Sequence, residues 1–192
     1  MSESVVLMII DMQQCMSWPQ AGERNNPNAE HEIAELLAHW RASHAPVVHV
    51  RHFSTEPESL FWPEQEGVLF QDAFQPLADE KTIEKPVPDA FTYSDLEGWL
   101  REQEAQALVV VGVSTNNSVE STVRSAGNLG FKTYVVGSAC FAFEKDDFFG
   151  QTRSADEVHA MSLANLHGEY ATVISQDEAF ALLPKEHTSL SD

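Results

Sequence analysis

Five short stretches of this chain, Val5–Ile10, Pro46–Arg51, Ala107–Val113, Thr133–Val136 and Ala171–Ile174, are apolar and rich in β-branched residues almost without interruption. A strand with one wet face alternates apolar with polar residues, so runs without alternation fit a parallel sheet covered on both sides. A weaker run, Thr82–Val87, is a sixth candidate strand. Helical spacing follows the runs. Ala29–Ser43 sets Ile33, Leu36, Leu37 and Trp40 on one face, and Ser94–Glu104 does the same with Leu96, Trp99 and Leu100. Asn117, with Glu120 three residues on, reads as a capping-box start for a helix to about Leu129 that Gly130 stops. A further helix, Ala155–Leu166, ends before Gly168. Strands alternating with helices predict a doubly wound sheet with helices on both faces.

With 192 residues the chain can bury one substantial core, and the single-domain reading covers residues 1–192. Thirty acidic against 11 basic side chains give a formal net charge of -19, and no Lys/Arg-rich stripe reverses it locally. That field repels phosphate backbones and anionic lipid, so nucleic-acid and membrane partners are not expected. No apolar run nears the ~20 residues of a membrane span, and Val5–Ile10 lacks the flanks of a secretory signal. A cytoplasmic location is expected. Cys15 and Cys140 are far apart and form no paired motif, so they read as free thiols.

Ligands of an open α/β sheet bind beyond the carboxyl ends of its strands. Asp11 ends the first run, Lys85 ends the weak run, and Ser114–Ser118 follows the run Ala107–Val113. The segments Ser17–Asn28 and Ser54–Asp79 are long, polar and interrupted by Trp18, Phe61, Trp62 and Phe70; loops of this kind cover active sites or oligomer interfaces.

Three motifs at these strand ends resemble the isochorismatase-like (cysteine hydrolase) superfamily. Val6-Leu-Met-Ile-Ile-Asp11-Met-Gln is similar to its opening strand and catalytic aspartate, and Ile83-Glu-Lys85-Pro-Val-Pro-Asp-Ala-Phe91 to its catalytic-lysine segment. Val110-Val-Gly-Val-Ser-Thr115-Asn-Asn-Ser118-Val resembles the block Gly-Val-x-Thr-x-x-Cys-Val, with Ser118 at the cysteine position. The similarity runs on through Gly130, Ala139 and His159. The resemblance implies a three-layer α/β/α fold with a six-stranded, mainly parallel sheet, and a site acting on small amides, related C–N bonds or enol ethers. It also implies a non-proline cis peptide at Val113–Ser114 and an oxyanion cradle from the backbone of Val113, Ser114 and Asn117. Homodimers or larger homo-oligomers and a small-molecule substrate are further implications.

Serine at position 118 leaves three readings open. A serine hydroxyl is far less acidic than a thiol, a carboxylate alone is a poor base for it, and no histidine is placed by sequence to complete a relay. In the first reading Asp11 is the general acid/base, Lys85 holds its charge state, and Ser118 positions substrate or water. In the second, Ser118 is the covalent nucleophile of an amidohydrolase. In the third, the fold has lost catalysis and binds or assembles.

An anionic substrate would need local cations, for which Lys85, Arg51, His52 and Arg124 are candidates. Trp18, Phe53, Trp62 and Phe91 are candidates for an aromatic wall against a planar or cyclic substrate. Some nicotinamidases that the resemblance brings in bind a metal through an Asp-x-His segment. Here the stretch reads His49-Val50-Arg51-His52, without the aspartate and with its histidines three residues apart, so no metal and no cofactor are expected. His159 reads as a structural hydrogen-bonding histidine, and Cys15 as an inert thiol rather than a displaced nucleophile.

Overall fold

A computed structural model describes residues 4–183 of the chain; residues 1–3 and 184–192, which the single-domain reading includes, lie outside the described residues. In chain order the elements are β1 (Ser4–Ile10), α1 (Ala29–Ala42), β2 (Val47–His52), β3 (Lys81–Lys85), α2 (Leu96–Glu102) and β4 (Ala105–Val113). A π-helical turn (Thr115–Val119) leads into α3 (Glu120–Asn128). Then come β5 (Lys132–Phe141), the short strands β6 (Lys145–Asp146) and β7 (Thr152–Arg153), α4 (Ala155–Leu166), β8 (Thr172–Ile174) and α5 (Gln176–Phe180). Six strands form one sheet in the order β3-β2-β1-β4-β5-β8, every pairing parallel. This is the doubly wound, three-layer arrangement that the alternating runs predict.

The unbroken apolar runs have their cause in this layering. Val5, Leu7 and Ile9 of β1, with Val109 and Val111 of β4, pack under Ile33, Leu36, Leu37 and Trp40 of α1. Val6, Met8 and Ile10, with Leu108 and Val110, pack on the other face against Leu96, Leu100, Val123, Ala126 and Leu166. Both faces of the central strands are thus dry, and a polar residue on either would lose its water without gaining a partner. Among the described residues no helix is long and apolar enough to cross a membrane.

Differences from the sequence reading fall where local signals are weak. β5 runs on through Gly137 and Ser138 to Phe141, because the β4–β5 register shifts between Val110 and Gly112 and absorbs the extra residues. The β6–β7 hairpin and the five-residue α5 carry too little periodicity to be read. The helix expected from Asn117 begins as an α-helix only at Glu120, and Glu120 contacts Arg124, Ser162 and Asn165 rather than closing a capping box. Helix α4, by contrast, does start with such a box, Ser154 and Glu157.

A charged cluster fastens α1 to the β2–β3 edge. Arg41 donates to both carboxylate oxygens of Glu80, at 2.7 and 2.8 Å, while the Leu77 amide and the fully buried His49 Nε2 reach Glu80 Oε2 at 2.8 Å each. Burial pushes the Glu80 carboxyl up, but these donors outweigh it and hold the group down at about 2, against 4.5 ordinarily. A depressed carboxylate stabilises the fold above its unfolded pKa and loses that contribution as pH falls toward the folded value. Stability should therefore decline from about pH 4.5 toward pH 2 through Glu80. The decline begins earlier, below about pH 6.5, through His49, because burial pushes its imidazole down and the folded state resists protonation. Glu80→Gln should cost about 3 kcal/mol at pH 7 in urea unfolding and flatten the acid limb below pH 4.5. An unchanged acid limb would count against this account.

Candidate active site

The chain leaves β1 toward β2 on one side and enters β5 from β4 on the other, so the winding direction reverses between β1 and β4. A crevice opens at the carboxyl ends of strands at such a point. Asp11, the residue after β1, is there with φ +51° and 3% exposure, its amide donating to Val50 O at 2.9 Å. Lys85 ends β3, two strands away, and its stem is buried to 1% exposure beneath the crevice. Its ammonium donates to Asp11 Oδ2 at 2.9 Å and to Ser118 Oγ at 3.2 Å. The other carboxylate oxygen, Asp11 Oδ1, is buried without a hydrogen-bond partner.

Ser118 is delivered by the turn after β4. The Val113–Ser114 peptide is cis, as the resemblance implies, and the turn that follows is π-helical, with Val119 N–H donating to Ser114 O at 3.2 Å. His159 Nδ1 meets Thr115 Oγ1 at 2.8 Å and Ser162 Oγ donates to Thr115 O at 2.8 Å, so α4 braces the turn. Burial pushes the His159 imidazole down, in keeping with a neutral structural group. The Asn117 amide, expected in the oxyanion cradle, donates to Ser114 O at 3.0 Å and is committed within the turn.

These residues open on a hollow of about 460 Å³. Asp11, Val113, Ser114, Asn117 and Ser118 line it from the strand ends, joined by His52 and Pro88. The two long loops contribute Gln20, Ala21, Ser59, Leu60 and Phe61, and Met16 and Phe143 complete the lining. The expected aromatic wall is elsewhere. Trp18 borders a separate hollow beside Arg24 and Glu30, Phe91 stacks on Phe131 with centroids 6.1 Å apart, and Phe53 lies under the Arg51 guanidinium at 4.8 Å. Trp62 is half-buried in its loop and does not border this hollow; its neighbour Phe61 does, T-stacked on His52 at 5.2 Å. Loop aromatics are visible in a sequence, but which of them turns inward depends on a path that no periodicity encodes.

The expected cations are also redistributed. Arg51 pairs with Glu84 on the neighbouring strand, and Arg124 pairs with Glu120 at 2.8 Å. Neither borders the hollow. His52 does, but burial pushes its imidazole below the usual range and the Lys85 charge adds to this, with Asp11 and the Val87 backbone pulling more weakly the other way. His49, on the opposite side of β2, is held by Glu80, so the two histidines do not converge on one ion. Cys15 is buried, and burial together with the Asp11 charge pushes its thiol up to about 12, which leaves it protonated and inert.

Gln13 was not singled out from sequence. Fully buried, it donates to His52 O at 2.9 Å and Val68 O at 3.0 Å and accepts from His52 N–H at 2.8 Å, stitching the end of β2 to the long loop. A polar residue two positions beyond Asp11 was the available signal, but its partners are 39 and 55 residues away.

Comparison with known proteins agrees with this geometry. The isochorismatase domain model matches residues 5–178. YrdC of Bacillus subtilis (strain 168), described as an uncharacterized isochorismatase family protein, is 36% identical over 187 residues, spanning 97% of this chain and 100% of that protein. YddQ of the same organism, described in the same words, is 35% identical over 92% of this chain and 98% of its own length. A solved structure of an isochorismatase-family protein from Chromobacterium violaceum ATCC 12472 superposes with a TM-score of 0.90 at 48% identity, covering 95% of this chain and 94% of that one. With the match running nearly end to end, the chain belongs to the isochorismatase family and is a hydrolase.

Proposed function

We propose that the protein hydrolyses a small cyclic or planar substrate at an enol ether or C–N bond, with Asp11 as general acid/base and water as nucleophile. The observation that carries this reading is the Lys85 ammonium set between Asp11 Oδ2 and Ser118 Oγ, at 2.9 and 3.2 Å, while Asp11 Oδ1 is left without a partner in the lining of the hollow. Lys85 holds one carboxylate oxygen and orients the other. At a C–N bond Oδ1 takes a proton from attacking water and passes it to the leaving nitrogen; at an enol ether the protonated Asp11 carboxyl gives its proton to the enol carbon, water adds to the oxocarbenium carbon and returns a proton to Asp11, and the hemiketal releases the alcohol. Backbone dipoles of the Val113–Ser118 turn stabilise developing negative charge, and Ser118 positions substrate or water.

Ser118 fits the positioning role better than the nucleophilic one. Its partner is an ammonium, which donates and cannot accept the serine proton, and among the described residues no carboxylate or imidazole hydrogen-bonds to its hydroxyl. The covalent amidohydrolase reading draws on the same 3.2 Å contact, since a lysine beside a serine could serve as its base if deprotonated. Ser118→Ala separates the two. A panel of amides, cyclic ureides and enol ethers should be turned over by this variant within about tenfold of wild type, and intact-mass spectrometry should find no acylated Ser118. A loss of about 10³-fold or more, with an acyl adduct trapped on the wild-type protein, would establish the covalent route instead. Tight binding without hydrolysis of any panel member would favour a binding or assembly protein.

A further inference from the structure

Among the described residues no lysine or arginine lines the hollow; Asp11 is its charged lining residue, with Lys85 buried behind it. Asp11 and Lys85 pair at 2.9 Å, the lining amides and hydroxyls such as Gln20, Ser59 and Asn117 carry no charge, and burial with the Lys85 charge pushes the His52 imidazole below its usual range. Outside the lining, Arg24 pairs with Glu30 at 2.7 Å, Arg51 with Glu84, and Arg124 with Glu120. An adjoining hollow that shares Ser114, Asn117 and Phe143 adds Lys145, but Glu144 accompanies it. A separate hollow, which shares Asn116 and Lys145 with the adjoining one, is lined by Glu120, Asp146, Asp147 and Glu157 together with Lys145 and Arg153. That neighbouring surface is net acidic, on a chain whose overall charge is -19. A carboxylate entering here would leave water for a hollow whose own lining, among the described residues, carries no lysine or arginine, a transfer whose cost no cation of that lining offsets.

Two buried atoms of the lining residues, Asp11 Oδ1 and His52 Nδ1, make no hydrogen bond. Asn25 Nδ2 and His49 Nδ1, of residues outside the lining, are bare as well, but an unpaired atom of a residue that borders a hollow is one that a bound molecule can satisfy. Resting on the hydrolytic reading of the same site, we propose that the substrate is an uncharged small molecule, one that meets Asp11 Oδ1 and His52, and that the hollow rejects carboxylate-bearing analogues. His52, which borders the hollow together with Asp11, is then a specificity-determining residue. The charge balance also favours turnover of a neutral amide, because hydrolysis creates a carboxylate product that the same surroundings expel.

Matched ligands test this directly. Benzamide, hydantoin and cyclohexenyl methyl ether are each compared with an analogue bearing a carboxylate on the same skeleton, by isothermal titration and thermal shift, with product formation followed in parallel. At least one neutral compound should bind about tenfold or more tighter than its carboxylate counterpart. Equal or tighter binding of the carboxylates, or binding by none of the neutral compounds, overturns the proposal. Neutral ligands that bind without turnover would defeat the hydrolytic reading and leave charge selection standing. Preferred turnover of the carboxylates would do the reverse. His52→Lys, with Ser59→Lys as a second placement should the first not fold, should raise carboxylate affinity about tenfold or more. No gain from either folded variant would remove these residues from the surface the ligand meets, and the charge argument with them.

Discussion

Asp11→Asn should reduce kcat/KM by roughly 10³-fold while the protein still folds. The carboxylate is the group on which proton transfer is proposed to turn, and the amide removes its basicity with almost no change of shape. Asparagine is also the replacement that the backbone tolerates, because Asp11 sits at φ +51°, a region that asparagine enters more readily than other non-glycine residues. Its side-chain oxygen can still accept from Lys85, and the Asp11 amide's bond to Val50 O at 2.9 Å is unaffected. Lys85 nevertheless loses its counter-charge at a fully buried position, so a lower melting temperature with native circular dichroism is part of the expectation. The decisive reading is the kinetic one, on the best substrate of the panel. An Asn variant that keeps a tenth or more of wild-type kcat/KM would remove Asp11 from the chemistry.

Gly112→Ala should destabilise the protein by about 4 kcal/mol or more, or prevent its folding. Gly112 has φ +122°, which side chains avoid, and a Cβ built on it would lie 2.1 Å from Ile10 O and 2.8 Å from Ile10 N. The obstruction is backbone, in the β1–β4 pairing itself, so no rotamer change relieves it. β1 would have to move away from β4 one residue before Asp11 and two before Ser114, opening the crevice at its base. Gly98→Ala is the control: it lies in α2 with no atom within 4 Å of the added Cβ, and should be neutral or stabilise by about 0.5–1 kcal/mol. Urea midpoints measure both. A Gly112→Ala protein that unfolds with wild type would refute the close approach.

Much of the candidate site was legible because strand ends can be read locally. An apolar run that stops at Asp11, another that stops before Ser114, and a lysine closing a weak run name three positions, and the parallel order of the sheet gathers them on one edge. The identity of the lining was not legible in the same way. Trp62 and Phe61 are adjacent in sequence, yet only Phe61 borders the hollow. Arg51 and His52 are likewise adjacent, and strand alternation with the pull of Glu84 takes the guanidinium away while the imidazole stays. The expected cap at Asn117 failed because the chain uses a π-helical turn to bring Ser118 to Lys85, and Thr115 is held there by His159 and Ser162, 44 and 47 residues downstream.

Layering and the three chemical groups at the strand ends were thus determined by sequence, since burial on two faces writes itself into consecutive residues and motifs keep their spacing along the chain. Which side chains surround those groups, and with what net charge, was decided only in three dimensions. A cation's availability depends on whether an acid from a distant segment reaches it first, and a loop residue's direction depends on contacts such as Gln13 with His52 and Val68 that join stretches far apart in the chain. Such pairings obey no period, so only the folded arrangement fixes them.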